Sequence, residues 1–456
     1  MSDQPSEPTE SAESTGPVRR RSTGIVADLR VLVQHAGFRK LFTVRLLSQC
    51  GDGMFQIGLA ALFFFSPQNL ATATQVAGAF AVMLLPFTIV GPFAGPLLDR
   101  WSRRQVLAIG NSVRVVLTLA IAAIMVTSGI GPAIYVLALL TLATNRFLLA
   151  ALSAGLPRVV PADQLLIANS LTPTLGGASA VAGAGLGVVI NLVTPTGPWH
   201  DATVLLVTAA FMLAAVVAAM RLHRGELGPD RSATELSVLG QLGATTRDLV
   251  DGARYLVARR TPALALGAMA AHRFIYGVNF IALILISRNL LVDPGDASAG
   301  LAMFGLLSGI SFAGGGLAIV ATPIAHQFLR PSAWVITCLG VGIVSQLLIA
   351  TTPTIAVIAV AALLLGLSTQ GAKIAVDTIV QRDTHDRFRG RAFTLYDTFY
   401  NAAFTGAAAV AALALPDTGW SRATFLPLAG LYVLIATGYG LGTRRTHDRP
   451  AAIPER

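Results

Sequence analysis

The first strongly apolar stretch of the chain carries polar and charged side chains on one helical face. Arg45, Gln49, Asp52 and Gln56 recur at i, i+4, i+7 and i+11, which places them on the same side of a helix. An ionised group at the middle of a membrane helix costs about 2.5 to 3.5 kcal/mol on insertion scales, so each one needs a reason. Because burial and a nearby cation pull the proton affinity of a carboxyl in opposite directions, Asp52 is a candidate proton-coupling group.

Two arginines in later apolar stretches are candidate partners of Asp52. Arg114 lies in the third stretch, and Arg146 lies in the fourth beside Asn145. Arginine stays charged in proteins, so both residues can serve as counter-ions or as anchors for an anionic substrate, but not as proton carriers. Two interpretations of Asp52 follow: a proton-coupling site, or a permanent structural ion pair with one of these arginines.

A second polar stripe occurs in the seventh apolar stretch. His272, Tyr276 and Asn279 recur at i, i+4 and i+7, with Arg273 adjacent. A histidine can change charge near neutral pH, or it can remain a neutral hydrogen-bonding residue. We expect Tyr276 and Asn279 to line a substrate cavity, with core packing as the alternative for the tyrosine.

Charged residues also gather around the tenth and eleventh apolar stretches. Lys373 and Asp377 are four residues apart and can pair along one helix, and Arg391 and Asp397 follow at the start of the next stretch. The arrangement predicts a gate, and the alternative is a cluster whose long side chains reach passively towards water.

The composition indicates which environment positions these groups. The chain has 456 residues, of which 54% are hydrophobic and only 12% are charged, with a mean hydropathy of +0.66. Soluble domains carry roughly a quarter charged residues, so the chain reads as an all-α membrane protein that crosses the bilayer many times.

Twelve apolar stretches are long enough to cross a bilayer, which requires about 20 residues each. We predict membrane spans at Phe38–Phe65, Thr74–Leu98, Gln105–Thr127, Ala133–Ala154, Ile167–Val193, Thr203–Leu222, Ala263–Leu290, Ala299–Ile324, Ala333–Ala350, Ile355–Val376, Ala392–Leu415 and Ala423–Leu441. This corresponds to two six-helix halves, residues 37–222 and 262–441. Both termini then lie on the same, cytoplasmic side.

The loop between the second and third spans fixes this orientation. Its sequence is Gly95-Pro-Leu-Leu-Asp-Arg-Trp-Ser-Arg-Arg104, and so basic a short loop is retained on the cytoplasmic side. The formal net charge of +10 resides mainly in such loops, which argues for a lipid bilayer and against nucleic acid as the partner of the positive charge. An acid beside guanidinium groups at helix ends can also form an ion-pair latch.

The segments outside the spans are predicted to be cytoplasmic. Residues 1–36 are rich in Ser, Thr, Pro and Glu and are expected to be a disordered tail, and no signal-peptide pattern follows their arginines. Residues 223–261 form a linker in which Leu249, Ala253 and Leu256 predict an amphipathic helix on the membrane surface. The helix is interpreted as a connection between the halves, with regulation as the alternative. A basic tail, 442–456, ends the chain.

The spacing of the loop residues resembles the signature loop of the major facilitator superfamily. The pattern Gly95-x-x-x-Asp99-Arg100-x-x-Arg103-Arg104 carries this likeness. Further segments are similar to the siderophore-exporter and macrolide-efflux branch: Phe38-Arg-Lys-Leu-Phe42, Arg45 to Phe55, Val160 to Ser170 and Arg387 to Arg391. The likeness covers roughly 38–441. The fifth span lacks the Gly-Pro pair of the antiporter motif, and the matching loop of the second half, Ala325 to Pro331, lacks the acid.

The resemblance implies proton-coupled export of a small organic molecule by alternating access, powered by the proton gradient across the plasma membrane. It also makes Arg146, which is placed like the family's fourth-helix arginine, the expected partner of Asp52 in preference to Arg114. Asp99 is expected to contact the start of the eleventh span near Arg391. A monomer without a cofactor or a metal is expected.

Two other functions stay open. The absent Gly-Pro pair suggests a uniporter or importer of the same fold, and the basic linker and tails suggest a membrane sensor or assembly protein that transports nothing. Patterns of hydrolases, metalloenzymes and ATP-driven motors are absent from the sequence, so an enzyme is not expected.

Overall fold

The computed structural model describes residues 25–64, 72–79, 101–128, 131–161, 164–195, 199–228 and 238–447. The helices in this part of the chain are α1 (Ile25–Leu32), α2 (Ala36–Phe64), α3 (Arg103–Ser128), α4 (Pro132–Gly155), α5 (Leu165–Val193), α6 (His200–Met220), α7 (Val238–Ala258), α8 (Thr261–Asn289), α9 (Ala297–Ala325), α10 (Pro331–Ile349), α11 (Ile355–Asp383), α12 (Asp386–Ala414) and α13 (Arg422–His447). Residues 73–79 form a further short helical segment.

Nine of the helices in the described ranges are long and apolar enough to cross a membrane: α3 to α6, α8 to α11 and α13. Both α2 and α12 have 29 residues, the same length as α8, but charged and polar residues interrupt them. The predicted second span, Thr74–Leu98, and the loop residues Gly95, Asp99 and Arg100 lie largely or wholly outside the described residues. The predicted count of twelve spans therefore stays a prediction.

The long helices pack into two groups. In the first group, α2 packs against α5 and α6, and α3 packs against α4 and α6. In the second group, α8 packs against α12 and α11, while α11 also packs against α9 and α10, and α13 packs against α10. Prolines at the first turns of α4, α8 and α10 suit positions whose backbone N–H would have no helical acceptor.

Small residues bring α2 and α5 into backbone contact. A Cβ atom at Gly53 would collide with the carbonyl oxygen of Ala180, and one at Gly183 would collide with that of Cys50. Glycine removes the side chains that would hold the helices apart, so the two backbones touch. Asp52, next to Gly53 on α2, is buried in the first group.

Among the described residues, direct contacts between the two groups lie at one end of the bundle. This end lies opposite to the basic end, which we define by Arg39, Lys40, Arg103, Arg104 and Arg158. Here Val188 of α5 lies 3.6 Å from the position of a Cβ on Gly305 of α9, and the Ala73 N–H donates to Asp417 Oδ1 at 2.8 Å. One apolar core joins the groups here, while a separate core at the basic end belongs to the first group alone.

The basic end of the first group is closed by the loop at 221–228. Arg103 donates to the carbonyl of Leu227 at 3.0 Å, and Arg104 donates to that of Met220 at 3.1 Å. Lys40 Nζ lies 3.7 Å from Glu226 Oε2. These arginines of the predicted signature loop thus hold the loop that follows α6, because their guanidinium groups satisfy carbonyls left over at a helix end.

One correction concerns the predicted disordered tail, 1–36. Residues within it form α1, and Leu32 is fully buried in the core at the basic end. Arg39 donates to the Val33 carbonyl at 2.9 Å, which caps the end of α1. The polar composition of the tail masked a short amphipathic helix, whose leucines are stabilised by burial against α5.

A second correction concerns the linker helix. Residues 238–258 do form a helix, but its predicted apolar stripe, Leu249, Ala253 and Leu256, packs against the second group instead of a lipid surface. Tyr255 stacks on Phe388 with ring centroids 4.2 Å apart. Side chains on α12 offer this stripe a protein surface, which the sequence pattern alone could not distinguish from lipid.

Candidate functional site

The carboxylate of Asp52 forms an ion pair with Arg114 inside the first group. Both side chains are buried, Arg114 completely. Arg114 also donates to Ser48 Oγ at 3.1 Å and to Asn111 Oδ1 at 3.4 Å, and Ser48 donates to Asn111 at 3.2 Å. A charged pair surrounded by hydrogen-bonding groups is the arrangement that makes buried charges tolerable.

The expected partner of Asp52 was therefore wrong. The family resemblance favoured Arg146, but Arg114 on α3 makes the pair, and Arg146 interacts electrostatically with Asp397 of α12 in the second group. Asn145 lies next to the Asp52 carboxylate. On α4 the adjacent positions 145 and 146 point in different directions, so only one of them faces α2.

The other polar residues of the α2 stripe, Arg45, Gln49 and Gln56, lie along the same helix on both sides of Asp52. Gln49 accepts a hydrogen bond from Arg45 Nε at 3.2 Å, and both side chains lie over Gly176 of α5, where a Cβ would collide with the amide oxygen. Gln56 is exposed near the other end of the helix. The stripe thus continues from the basic end past Asp52.

Four charged side chains form what we call the interface cluster: Arg146, Lys373, Asp377 and Asp397. Lys373 donates to Asp377 at 2.8 Å, as the spacing predicted. Asp397 interacts electrostatically with both Lys373 and Arg146. Because Arg146 belongs to the first group and the other three to the second, the cluster couples charge across the boundary between the groups.

Arg391, which was expected to join this gate, does not belong to the cluster. It donates to Asp248 of α7 at 2.6 Å, and its Cβ lies 2.9 Å from the position of a Cβ on Gly252. The predicted contact between Asp99 and the start of the eleventh span cannot be evaluated, because Asp99 lies outside the described residues.

The α8 stripe divides between two environments. His272 is completely buried and contacts Thr369 Oγ1 at 3.1 Å, so it packs among α8, α11 and α13 rather than in a cavity. Asn279 and Gln346 exchange hydrogen bonds between their amides, each at 3.2 Å. Tyr276 and Asn279 also line a cavity of about 40 Å³ within the second group, together with Phe280, Ser308 and Ser311.

Arg273 packs against three aromatic rings, which we call the aromatic box: Tyr276, Tyr400 and Phe404. Its guanidinium carbon lies 4.8, 4.4 and 3.7 Å from the three ring centroids, in that order. Buried Nε of Arg273 has no hydrogen-bond partner in the part of the chain that the structure describes. Cation–π contact stabilises the charge without supplying an acceptor for its N–H groups.

Several functional residues escaped the sequence analysis. Ser48 and Asn111 satisfy Arg114, Gln346 satisfies Asn279, and Tyr396, Tyr400 and Phe404 line α12. A signal existed only for the last group, whose aromatic residues recur at i, i+4 and i+8. Lys373 lies 5.6 Å from the ring of Tyr396, which in turn packs edge-on against Tyr400. The rings connect the interface cluster to Arg273.

The chain resembles known transporters in sequence and in fold. The family model described as Major Facilitator Superfamily matches residues 41–408. An uncharacterised MFS-type transporter of Mycobacterium tuberculosis is 32% identical over 397 residues, which span 87% of this chain and 89% of the relative.

Solved structures share the fold at low sequence identity. The nucleoside transporter NupG superposes with a TM-score of 0.64 at 14% identity, covering 89% of this chain and 98% of NupG. The POT family transporter PepTSo superposes with a TM-score of 0.66 at 12% identity, covering 90% of this chain and 99% of PepTSo. From the family match, the relative and the helical architecture together, this chain belongs to the Major Facilitator Superfamily and is a multi-pass membrane transporter.

Proposed function

We propose that the protein is a proton-coupled exporter of a small organic molecule in the plasma membrane. The observation that carries the proposal is the Asp52–Arg114 ion pair, a carboxylate sealed beside an arginine in a membrane-spanning helix group. Asp52 Oδ2 has no hydrogen-bond partner among the described residues, which leaves one oxygen to accept a proton. The likeness to the siderophore-exporter and macrolide-efflux branch supports export as the direction.

Protonation of Asp52 changes the charge balance inside the first group. A neutral carboxyl no longer balances Arg114, so the arginine must find another partner or a new orientation. The free energy of this change biases the equilibrium between two transporter conformations, because only a differential interaction can shift such an equilibrium. Asn145 on α4 lies beside the pair and passes a change at Asp52 on to the neighbouring Arg146 in the interface cluster.

The packing between the groups supports an assignment of the conformation. The shared apolar core joins the groups at the end opposite to the basic end. If the basic end is cytoplasmic, as the positive charge of its loops predicts, this is an inward-facing state in which substrate enters from the cytoplasm. The same orientation places both termini in the cytoplasm, and twelve spans in two six-helix halves complete the architecture.

The first experiment identifies the direction of transport. An accumulation screen in a deletion strain supplies a substrate, and everted membrane vesicles are then equilibrated with it on both sides and given an imposed proton gradient, acid inside. An exporter concentrates the substrate in these vesicles as protons leave. Loss of the substrate from the vesicles supports the importer instead, and a flux that ignores the gradient supports the uniporter.

The second experiment tests the role of Asp52. In Asp52→Asn, we expect the gradient-driven accumulation to fall at least tenfold and the remaining flux to lose its pH dependence. Asp293→Asn, an exchange at an exposed loop, serves as the matched control and keeps both. Accumulation and pH dependence that survive in Asp52→Asn refute the proton-coupling assignment and leave the pair a structural element.

A further inference from the structure

We propose that Arg273 and the aromatic box form a binding site for the carboxylate of an aromatic organic anion. The proposal rests on the proposed transport function and specifies its substrate class. It starts from a mismatch: Arg273 lies near the middle of the 29-residue helix α8, where a cation is costly, yet no carboxylate pairs with it among the described residues.

The charges of Arg273 and the interface cluster, taken together, are unequal. Arg146, Arg273 and Lys373 supply three positive charges, while Asp377 and Asp397 supply two negative ones. Lys373 is bonded to Asp377, and Arg146 interacts electrostatically with Asp397, which leaves Arg273 as the cation of this set that has no acid among the described residues. A ligand with one negative charge balances the set.

The ring contacts of Arg273 leave its Nε–H without an acceptor in the described part of the chain. The rings of the aromatic box interact with the face of a guanidinium, and their carbon atoms accept no strong hydrogen bond from its N–H groups. A carboxylate is the ligand that matches the fork of a guanidinium, since two parallel N–H···O bonds form at once. The stacked rings hold the fork in one orientation, which lowers the entropy lost on binding.

The rest of the ligand meets an aromatic surface. Phe280 packs edge-on against both Phe304 and Phe404, at centroid distances of 5.6 and 6.0 Å. The ring of Tyr276 lies 6.0 Å from that of Phe404 and forms one wall of the cavity within the second group. Such walls favour an aromatic body, because ring pairs contribute about 0.5 to 1.5 kcal/mol beyond the burial of their area.

Three other arginines in the described part of the chain, Arg422, Arg45 and Arg114, lack this combination. Arg422 also lies over a ring, that of Trp420 at 5.9 Å, but it donates to the carbonyls of Ala350 and Thr351 at 3.1 and 2.8 Å. Arg45 donates from its Nε to Gln49, and Arg114 is paired with Asp52. Arg422 is therefore the matched control, since it shares the ring contact and differs in having its donors satisfied.

The experiment compares acids with their neutral amides on the purified full-length protein in lipid nanodiscs. The probes are benzoate, salicylate and 1-naphthoate, each paired with benzamide, salicylamide or 1-naphthamide, and the readout is the shift of Tm with probe concentration. We expect each bound acid to raise Tm at lower concentration than its amide. Arg273→Gln should weaken the acids at least tenfold and leave the amides unchanged, whereas Arg422→Gln should keep the preference.

A purely structural role of Arg273 gives a different result. Arg273→Gln then lowers the Tm of the free protein but leaves the acid-to-amide ratio unchanged, which overturns the proposal. Equal effects of acid and amide on the wild-type protein, or no effect of any probe, overturn it as well. If Arg273→Gln does not fold, Arg273→Lys keeps the charge but loses the fork, and an undiminished preference in that variant refutes the bidentate site.

The binding assay requires no transport, so the two proposals fail separately. Acids that bind through Arg273 in a protein without gradient-driven flux contradict the proton-coupled exporter and leave the anion site intact. Gradient-driven export of neutral compounds alone, in a protein that binds acids no better than amides, contradicts the anion site and leaves the proton-coupled exporter intact.

Discussion

Helices α2 and α8 open the two groups, and each has 29 residues and a glycine at the closest approach to another helix of its group. On α2, Gly53 touches the backbone of α5, and the neighbouring Asp52 is paired with Arg114. On α8, Gly277 faces side chains of α12, and Arg273 one turn earlier rests on aromatic rings without an acid. A glycine contact between helices therefore accompanies opposite electrostatics in the two groups: a closed ion pair in the first and a cation without an acid in the second.

This difference separates two uses of buried charge. A pair that is already neutral responds to a proton, because protonation creates an imbalance. A cation that lacks an acid responds to an anion, because binding removes an imbalance. Under the two proposals, the first group contains the energy-coupling element and the second group contains the substrate site.

The largest expected loss of stability tests the glycine contacts of α2 and α8. Gly53→Ala forces the backbones of α2 and α5 apart, so we expect a loss of about 3 kcal/mol or more in stability. Gly277→Ala meets Ala407 Cβ at 2.6 Å and Phe404 Cδ2 at 2.8 Å, where side chains can yield, so about 1 to 2 kcal/mol is expected. Unfolding of the purified variants in detergent measures both.

A glycine in open space provides the control for this pair. Gly185 of α5 has nothing within 4 Å of its Cβ position, and Gly185→Ala should be neutral or slightly stabilising. Equal losses for Gly53→Ala and Gly277→Ala would contradict the distinction between a backbone contact and a side-chain contact.

An effect of similar size tests the electrostatic part of the comparison. Arg114→Gln leaves Asp52 buried without a cation and should cost about 3 to 5 kcal/mol, whereas adding Asp52→Asn should recover most of the loss. Arg273→Gln strands no acid and should cost only about 1 kcal/mol of cation–π interaction. A double-mutant cycle on unfolding free energies gives the coupling. A coupling free energy near zero between positions 52 and 114 would show that Asp52 and Arg114 do not stabilise the fold as an ion pair.

The smallest expected change in stability concerns Glu226 at the basic end of the first group. Burial alone would raise the pKa of Glu226, but the hydrogen bond from the His223 backbone N–H and the charge of Lys40 outweigh it and lower that pKa. A lowered pKa in the folded state stabilises the protein above the ordinary pKa of glutamate, near 4.3, and the contribution disappears as pH falls through the folded value. Glu226→Gln should therefore cost about 0.5 kcal/mol at pH 7 and nothing at acid pH.

The control for this measurement is Asp251→Asn. Asp251 is an exposed acid of α7, 3.9 Å from Arg254, and its removal should change stability less than that of Glu226 at pH 7. A Glu226→Gln loss of equal size at acid pH and at pH 7 would show that the hydrogen-bond geometry, and not the charge, supports the 221–228 loop.

Part of the fold and of the site could be predicted from the sequence because local patterns determine it. Apolar runs of about 20 residues predict spanning helices, and nine of the helices in the described part of the chain meet that criterion. The i, i+4 spacing of Lys373 and Asp377 predicted their pairing, which the structure contains. The Gly95–Arg104 spacing predicted the family, which the family match to 41–408 confirms.

The remaining features depend on helix rotation and on contacts between distant segments. Whether Arg114 or Arg146 meets Asp52 depends on the angle at which α3 and α4 pack, and no one-dimensional pattern contains that angle. The apolar stripe of α7 fits lipid and protein equally well, and only the position of α12 decided for protein. Arg391 pairs with Asp248, 143 residues away, for the same reason.

By itself, the sequence of this protein determined the membrane class, the positions of most helices, the family and the residue types available for charge coupling, because these follow from composition and local periodicity. Only the tertiary structure decided which charges neutralise each other. Asp52 lies beside Arg114, Asp377 is bonded to Lys373, and Arg273 lies among aromatic rings without an acid in the described part of the chain. Pairing is a property of three-dimensional distance, and distance is set by packing.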